Sequence, residues 1–219
     1  MNSSLIQLLV LAGIAVFLIL KLRAVLGTRE GFEKPPLPAD PTHPQPKLVS
    51  PVPEDGVDLD IIDHAPAGSP TALALAAMKQ AEPGFSVGEF LHGARGAYEM
   101  ILMAFERGDI DAVRPFLGDE VEASFTQAIN ARESAGQTVE ANFLGLREMH
   151  LADAEFDATT RTAEITLRYT GELTSLVRNK AGEIIEGSAT EVKRQRESWT
   201  FARRMGVQDP NWQLVGTSD

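Results

Sequence analysis

The feature that most constrains this 219-residue chain is an apolar run close to its start. Residues 5–20 are apolar apart from Gln7, and Lys21 and Arg23 follow directly. With its edges the run extends over roughly 18 to 20 residues, about the length of helix that crosses a ~30 Å hydrocarbon core. A helix is required there because lipid offers no partners for backbone polar groups. The sequence therefore predicts a transmembrane anchor over residues 1–27.

Basic residues follow this run but do not precede it. Lys21, Arg23 and Arg29 lie on its C-terminal side. Because Lys and Arg accumulate on the cytoplasmic side of a span, we expect the N-terminus outside and the rest of the chain in the cytoplasm. A cleaved signal peptide is the alternative, but it needs a basic start and a small-residue cleavage site. A single-pass protein of a bacterial inner membrane fits better.

The next segment, residues 28–70, has the composition of a linker. It contains ten of the chain's 13 prolines and one aromatic residue, Phe32. Such a segment buries too little apolar surface to offset its chain entropy, so the sequence predicts a Pro-rich, acidic, disordered linker. An alternative is a short binding motif formed by three apolar residues between acidic ones, Leu59, Ile61 and Ile62.

Charge and composition exclude several classes of function. The net charge is −11, which argues against nucleic-acid binding, since that requires a cationic surface. The chain has no Cys, so disulfides and thiolate nucleophiles are excluded. Its four His do not show metal-ligand spacing, and no phosphate-binding or dinucleotide motif occurs. We therefore expect neither a metal nor a cofactor.

Helical patterns dominate the first half of the remaining chain. A short helix is predicted over residues 71–81, and a long one over 87–107 that begins with the capping box Ser86-x-x-Glu89. Another helix begins near Asp119. Gly93 and Gly96 lie on the long helix, where we expect them to permit the close approach of a neighbouring element.

After Gly136 the periodicity changes from helical to alternating. Residues 163–170 alternate apolar and polar side chains, which predicts a half-buried strand. A turn at 179–182 leads into residues 183–187, and further strands are predicted at 192–204 and 212–216. Helices followed by antiparallel strands indicate an α+β domain over residues 71–219, with the long helix lying across a curved sheet.

Catalytic signals are weak. A carboxylate, Glu99 or Asp153, would need to lie beside Tyr98 or Tyr169 to serve as a general acid or base. Nothing in the sequence brings these residues together. We therefore expect that the chain is not an enzyme.

One basic cluster contrasts with the acidic background of the domain. Its members lie on the long predicted strand: Lys193, Arg194, Arg196, Arg203 and Arg204. Alternate residues of a strand share a face, so Arg194 and Arg196 should lie opposite Lys193 and Arg203. Two interpretations remain open, namely cross-strand pairing with Glu residues, or a basic patch that contacts anionic lipid or an acidic partner.

Several sequence segments together resemble a known family. They are Phe90-x-x-x-Ala94-x-x-Ala97-Tyr98, Trp199-Thr200-Phe201-Ala202-Arg203 and Asp209-Pro210-Asn211-Trp212. In this order they are similar to the Tim44-like domain, found in bacterial relatives of the mitochondrial inner-membrane import-motor adaptor. The resemblance covers about residues 71–219. The mitochondrial member has a long N-terminal region where this chain has an apolar anchor.

The resemblance implies a cone related to nuclear transport factor two, with a large apolar pocket. The pocket residues would be Phe90, Tyr98, Leu102, Phe105, Trp199 and Phe201. It also implies an adaptor or scaffold that recruits a protein partner or polypeptide segment to the inner membrane. The alternatives are a carrier or sensor of an apolar ligand or lipid and, less favoured, an enzyme on the same cone.

Overall fold

The computed structural model describes residues 58–218. The predicted anchor, and the predicted linker up to residue 57, lie outside the described residues. Within the part that is described, no helix is both long enough and apolar enough to cross a bilayer.

Helices precede strands along the described chain, as the sequence predicts. The helices are α1 (Leu59–Ile62), α2 (Pro70–Ala81), α3 (Val87–Arg107), a 3-10 helix (Arg114–Phe116) and α4 (Asp119–Ser134). The strands are β1 (Thr138–Asp157), β2 (Thr162–Arg178), β3 (Ile184–Arg204) and β4 (Gln213–Ser218). The α+β class is confirmed.

The strands form one antiparallel sheet in the order β1-β2-β3-β4. β1 is longer than its partner β2, and the register between them skips Leu144, Arg147 and Ala152. A β-bulge forms at each skipped residue, and such bulges bend and twist the strand that carries them. Gly118 ties α4 to the far edge, because its N–H donates to the Leu214 carbonyl at 2.8 Å.

The hydrophobic core lies between this sheet and the helices. Ile165, Leu167 and Tyr169 point inward from β2 and are at most 2% exposed. α3 supplies the opposite wall, with Tyr98 and Ile101 fully buried. The alternation in residues 163–170 therefore reports the buried face of β2, and the 3.6-residue period of α3 reports the face that packs on it.

The predicted strand boundaries need two corrections. The sequence prediction began the sheet at residue 163, whereas β1 already forms at Thr138–Asp157. Few β1 residues are buried, because β1 is an edge strand, and its bulges interrupt the alternation that would signal a strand. The segments 183–187 and 192–204 belong to one strand, β3. In the register between β2 and β3, the four residues Ala189–Val192 of β3 lie across from the single β2 residue Thr174. β3 therefore carries a large bulge between the two predicted segments.

The start of the ordered domain is also earlier than the predicted boundary at residue 71. Residues 58–66, called the strap below, pack on the domain, and their Ile61 and Ala65 are 5% and 3% exposed. The apolar trio that could have been a binding motif therefore contributes Ile61 to the protein's own core, while Leu59 and Ile62 stay exposed. Composition predicted disorder for the strap because the groups that hold it belong to α2 and α3, and the strap's own residues do not reveal these contacts.

Asp60 fixes the strap to the start of α3. Its carboxylate accepts hydrogen bonds from the backbone N–H groups of Val87 and Gly88, both at 2.8 Å. Lys79 of α2 lies 2.7 Å from the same carboxylate and 2.8 Å from that of Asp58. Ser86 is the N-cap residue of α3, and its hydroxyl accepts a hydrogen bond from the Glu89 N–H. Two side chains thus share the unpaired amides of one helix end.

These contacts shift the pKa values of both Asp60 and Lys79. Partial burial alone would raise the pKa of Asp60, but the hydrogen bonds from Lys79, Gly88 and Val87 outweigh it, so its pKa is below the ordinary value of 3.8. Partial burial would lower the pKa of Lys79, but hydrogen bonds to Asp58 and Asp60 outweigh it, and its pKa is raised.

We predict that Asp60→Ala lowers the free energy of unfolding by roughly 1 to 2 kcal/mol, because α3 loses a capping acceptor and Lys79 loses a partner. Chemical denaturation of the full chain measures the change. Asp63→Ala is the matched control, since Asp63 lies exposed at the other end of α1. Equal stability of Asp60→Ala and the wild type would show that the strap does not hold the domain.

The same contact predicts a pH dependence. A carboxylate with a lowered pKa contributes stability above its unfolded pKa, and this contribution is lost as the pH falls through the folded pKa. The stability difference between wild type and Asp60→Ala should therefore be full at pH 6 to 7 and shrink on acidification below about pH 4. Denaturation curves at stepped pH values test this, and a difference that grows on acidification would contradict it.

Candidate functional site

Three aromatic side chains fill the space between α3 and the sheet. Tyr98 of α3 stacks on Tyr169 of β2, with ring centroids 4.4 Å apart and an interplanar angle of 17°. Trp199 of β3 lies 4.7 Å from Tyr98 and 5.7 Å from Tyr169. All three are at most 3% exposed. Two of the residues predicted to line a large apolar pocket, Tyr98 and Trp199, thus pack against each other in this stack.

Both tyrosines of the stack keep their protons near neutral pH. Burial raises the pKa of Tyr169, whose hydroxyl donates to the Ala94 carbonyl at 3.2 Å. Burial also raises the pKa of Tyr98, and the neighbouring Glu197 carboxylate raises it further. At neutral pH both hydroxyls are therefore protonated, and that of Tyr169 is engaged with α3 through the Ala94 carbonyl.

Two of the concave sites adjoin the elements that carry the stack. The first, called the tryptophan groove, has a volume of about 440 Å³. Its aromatic and apolar lining includes Phe85, Phe90, Met100, Phe116, Phe201 and Trp212. The second, called the acidic cavity, has a volume of about 400 Å³ and lies between α3, α4 and the end of β4.

Trp212 organises the tryptophan groove. Its ring centroid lies 4.6 Å from that of Phe90 and 5.9 Å from that of Phe85. The guanidinium of Arg203 lies over the same ring at 5.3 Å and forms a 2.6 Å ion pair with Glu82. The groove is thus a recess lined by aromatic rings, with Phe85 and Phe90 buried and Trp212 half-buried. Its position is fixed by the ring contacts and by one ion pair.

Glu82 is occupied by structural contacts. Partial burial would raise its pKa, but the Gly206 N–H and Arg203 hold the pKa below its ordinary value of 4.5. The Gly206 N–H donates to it at 2.7 Å. A carboxylate held in this way joins α2 to the end of β3 and is a poor base for chemistry.

The acidic cavity combines aromatic walls with polar groups. Phe105 and Phe125 face each other with centroids 4.5 Å apart, and Trp199 forms part of the wall. Glu106, Gln195 and Glu197 supply the polar side chains. The Trp199 indole N–H donates to Glu197 at 3.1 Å, and the Ser175 hydroxyl donates to Glu106 at 3.4 Å.

The structure divides the six predicted pocket residues into three groups. Phe90 and Phe201 line the tryptophan groove. Leu102, Phe105 and Trp199 line the acidic cavity. Tyr98 lies buried in the stack between them. The sequence prediction missed Trp212 as a groove residue and Glu197 as the carboxylate beside Tyr98, because the side-chain period does not show which residues lie near an opening.

The predicted basic cluster is also divided. Arg203 belongs to the tryptophan groove, with its side chain only 8% exposed. Arg194 pairs with Glu172 at 3.0 Å, and Glu172 also holds Arg147 at 2.8 Å. The remaining members, Lys193, Arg196 and Arg204, are exposed. For Arg194 and Arg203 the structure shows pairing with Glu residues.

The carboxylates considered for catalysis do not meet the tyrosines. Glu99 is exposed on α3. Asp153 accepts the Thr71 hydroxyl at 3.1 Å and so joins β1 to α2. The acid beside Tyr98 is instead Glu197, which β3 supplies.

Three of the four histidines meet at another cavity. His64 follows α1, His92 lies on α3 and His150 on β1, and Arg95 lines the same cavity. Because the three histidines are far apart in the sequence, their proximity could not be predicted from it. Within residues 58–218 no group of His, Asp or Glu is arranged to hold a metal ion.

The interpretation of Gly93 and Gly96 was wrong. A Cβ placed on either residue would meet nothing within 4 Å. Both glycines are exposed, and Gly93 lies in the wall of the tryptophan groove. The residue that permits a close approach is Gly171 of β2, where a Cβ would lie 2.7 Å from the Tyr98 hydroxyl oxygen.

Comparison with known proteins agrees with the family resemblance. The Tim44-like domain profile matches residues 71–219. The chain belongs to the Tim44-like domain family. Among solved structures, the intermembrane space region of the chloroplast protein ARC6 is similar to this chain, with 11% identity and a TM-score of 0.41 over 58% of this chain and 94% of that chain. No curated protein matches.

We predict that Gly171→Ala destabilises the Tim44-like domain by roughly 1 to 3 kcal/mol, because the new methyl group pushes on a ring that the stack holds in place. Adding Tyr98→Phe, which removes the nearest atom, should recover part of the loss. Thermal unfolding of the full chain measures both.

Gly93→Ala is the control for this substitution. It should be neutral or stabilise by roughly 0.5 to 1 kcal/mol, since its Cβ meets open space and alanine favours the helix. A Gly171→Ala protein as stable as Gly93→Ala would contradict the packing described for Tyr98.

Proposed function

We propose that this chain is a membrane-anchored adaptor whose Tim44-like domain binds an apolar segment of a protein partner in the tryptophan groove. The observation that carries the proposal is the groove itself, a recess at the margin of the core that is lined by the rings of Phe85, Phe90, Phe116, Phe201 and Trp212. Trp, Phe and Met side chains that line an open site are typical of the anchor points of protein interfaces.

The proposal favours binding over catalysis. The ionic groups that border Trp212 are engaged with each other, since Arg203 pairs with Glu82 and Glu82 accepts the Gly206 N–H. The remaining wall on α3 consists largely of small or apolar residues, among them Gly93, Ala97 and Met100. Such a surface gains free energy by excluding water and offers little to polarise a reacting bond.

It also favours a protein segment over an enclosed lipid. We infer that the fold is a nuclear transport factor two-like cone whose interior is filled by Tyr98, Tyr169 and Trp199. An enclosed acyl chain requires the volume that these rings occupy. A short apolar segment of a partner needs only a groove of about 440 Å³ that is open on one side.

The predicted anchor indicates where in the cell the proposed binding takes place. The apolar run of residues 5–20 and the Lys21 and Arg23 that follow it support a single span with the Tim44-like domain on the cytoplasmic side of a bacterial inner membrane. A tethered domain meets membrane-associated partners at a raised effective concentration. The proposed role is therefore to recruit a protein or polypeptide segment to the membrane surface.

Site-specific photocrosslinking in intact cells tests the groove. A benzophenone amino acid replaces Met100, which is 41% exposed in the groove, or Leu73, which is 63% exposed on α2 and is the control position. We expect a discrete crosslinked protein from position 100 that is absent from position 73. Trp212→Ala should reduce it strongly because the largest ring of the groove is lost.

Two outcomes would overturn the proposal. One is a crosslink at position 100 that persists at full yield after Trp212→Ala. The other is the same product from position 73, since that would place the partner elsewhere or indicate random collision.

Topology reporters test the anchor. Alkaline phosphatase fused after residue 219 should be inactive, and a green fluorescent protein at the same place should be fluorescent, because the domain faces the cytoplasm. Deletion of residues 1–27 should move the domain from the membrane to the soluble fraction. An active phosphatase fusion would reverse the proposed orientation.

A further inference from the structure

We infer that one edge of the sheet binds an extended, acidic segment of another protein as an added β-strand. The edge consists of residues 193–197 of β3, called the free edge below, which β4 leaves without a neighbour. This surface is separate from the tryptophan groove. The inference therefore goes beyond the proposed function and does not depend on it.

The backbone of the free edge has strand partners on one side only. β2 pairs with β3 over most of its length, whereas β4 pairs with it only from Ser198 to Ala202. Within the described part of the chain, no backbone hydrogen bond joins residues 193–197 to any element except β2. Because the N–H and C=O groups of a strand alternate between its two edges, part of them faces outward here. Such an edge is a template for a further strand.

Two features delimit the free edge. The bulge at Ala189–Val192 interrupts the ladder on one side, and the pair formed by Ser198 and Ser218 begins the contact with β4 on the other. The interval accommodates a strand of about five residues, which is an ordinary strand length. An added strand would continue the line of β4 along β3.

The acidic cavity lies beside this line. Its lining includes Phe125 of α4, Gln195 of the free edge and Ser218 at the end of β4. Trp199 and Phe201 of β3 face the core, and alternate strand residues share a face, so odd-numbered β3 residues lie on the cavity side. The added strand therefore has one face toward the cavity, where an apolar side chain would contact the Phe125 ring.

The other face of the free edge is positively charged. Arg194 and Arg196 are exposed on it. Glu172 is shared between Arg194 at 3.0 Å and Arg147 at 2.8 Å, so one carboxylate faces two guanidinium groups. Arg196 lies opposite Thr170 and forms no ion pair within residues 58–218. Acidic side chains on an added strand would form favourable cross-strand pairs with these arginines.

The same charges argue against a second copy of this chain as the occupant. A two-fold pairing of two free edges centred on Gln195 would place Arg194 of one copy opposite Arg196 of the other. Like charges in directly opposite positions destabilise a strand pair. The free edge therefore selects a segment of opposite charge, and the alternation of the strand requires acidic residues on one face and apolar residues on the other.

Hydrogen exchange measured by mass spectrometry on the full chain tests this inference. The chain is held in phosphatidylcholine nanodiscs, and the segment read out contains residues 193–197. The probe is a short synthetic peptide in which glutamate and valine alternate, called the acidic peptide. A matched peptide has lysine in place of glutamate. Two further versions of the acidic peptide carry N-methyl groups on the backbone of either the glutamates or the valines, which removes N–H donors from opposite edges of the peptide.

We expect the acidic peptide to slow exchange in residues 193–197 and the lysine peptide to have no effect. One N-methylated version should fail to bind and the other should still bind, because one edge of an added strand pairs with β3. Arg196→Gln should weaken binding about two- to fivefold, the factor expected for one exposed cross-strand pair. Arg204→Gln is the control, since Arg204 is exposed on the same face of β3, beyond the residues that pair with β4.

Several outcomes would overturn the inference. They are unchanged exchange in residues 193–197, equal effects of the acidic and lysine peptides, equal binding of both N-methylated versions, and equal binding to Arg196→Gln and wild type. Protection that appears without peptide and rises with protein concentration would indicate a second copy instead. Protection without peptide that appears only in nanodiscs containing phosphatidylglycerol would indicate a lipid surface.

The tryptophan groove is tested separately. Trp212→Ala should leave binding of the acidic peptide unchanged, because Trp212 lines the groove and lies outside the lining of the acidic cavity. A loss of peptide binding in Trp212→Ala would show that the peptide occupies the groove and would contradict pairing at the free edge. Failure of the peptide to bind leaves the crosslinking test at position 100 as the test of the groove.

Discussion

The packing of Tyr98 against Tyr169 and Trp199 is the contact on which the other features of the domain depend. It holds α3 across the sheet and fills the interior with three rings at centroid distances of 4.4 to 5.7 Å. Because rings of this size bury large apolar areas and prefer defined geometries, the interior has one arrangement. The tryptophan groove and the acidic cavity therefore lie on the flanks of the stack and not within it.

The strap, at the start of the described residues, packs on the domain and is fixed to α3. Asp60 completes the cap of α3, the helix that carries Tyr98, through the Val87 and Gly88 amides. The family match begins at residue 71, whereas the packed residues include Ile61 and Ala65. The residues just before the matched region thus belong to the folded unit, and they join the predicted tether to the helix that lines both sites.

The sequence predicted the parts of this structure that rest on local patterns. The α3 boundaries follow from the Ser86 cap, the apolar period and Gly108, which has a left-handed φ of 75° at the helix end. The β2 alternation and the Asn179 turn likewise identify the central hairpin. Patterns of this kind are short-range, so they indicate element type and the buried face.

What the sequence could not predict are contacts between distant segments. Gly171 and Tyr98 are joined by a close approach that no local pattern encodes. The predicted pocket residues were recognised as inward-facing, but Tyr98 fills the pocket and Phe90 only borders a groove. Whether inward-facing rings enclose a space or occupy it depends on side-chain packing across the whole core.

A crystal of the full chain under xenon pressure tests the central claim most directly, because xenon enters dry apolar cavities. The account predicts xenon beside Trp212 in the tryptophan groove and no xenon between α3 and the sheet. Xenon bound among Tyr98, Tyr169 and Trp199 would show a hollow interior and contradict it.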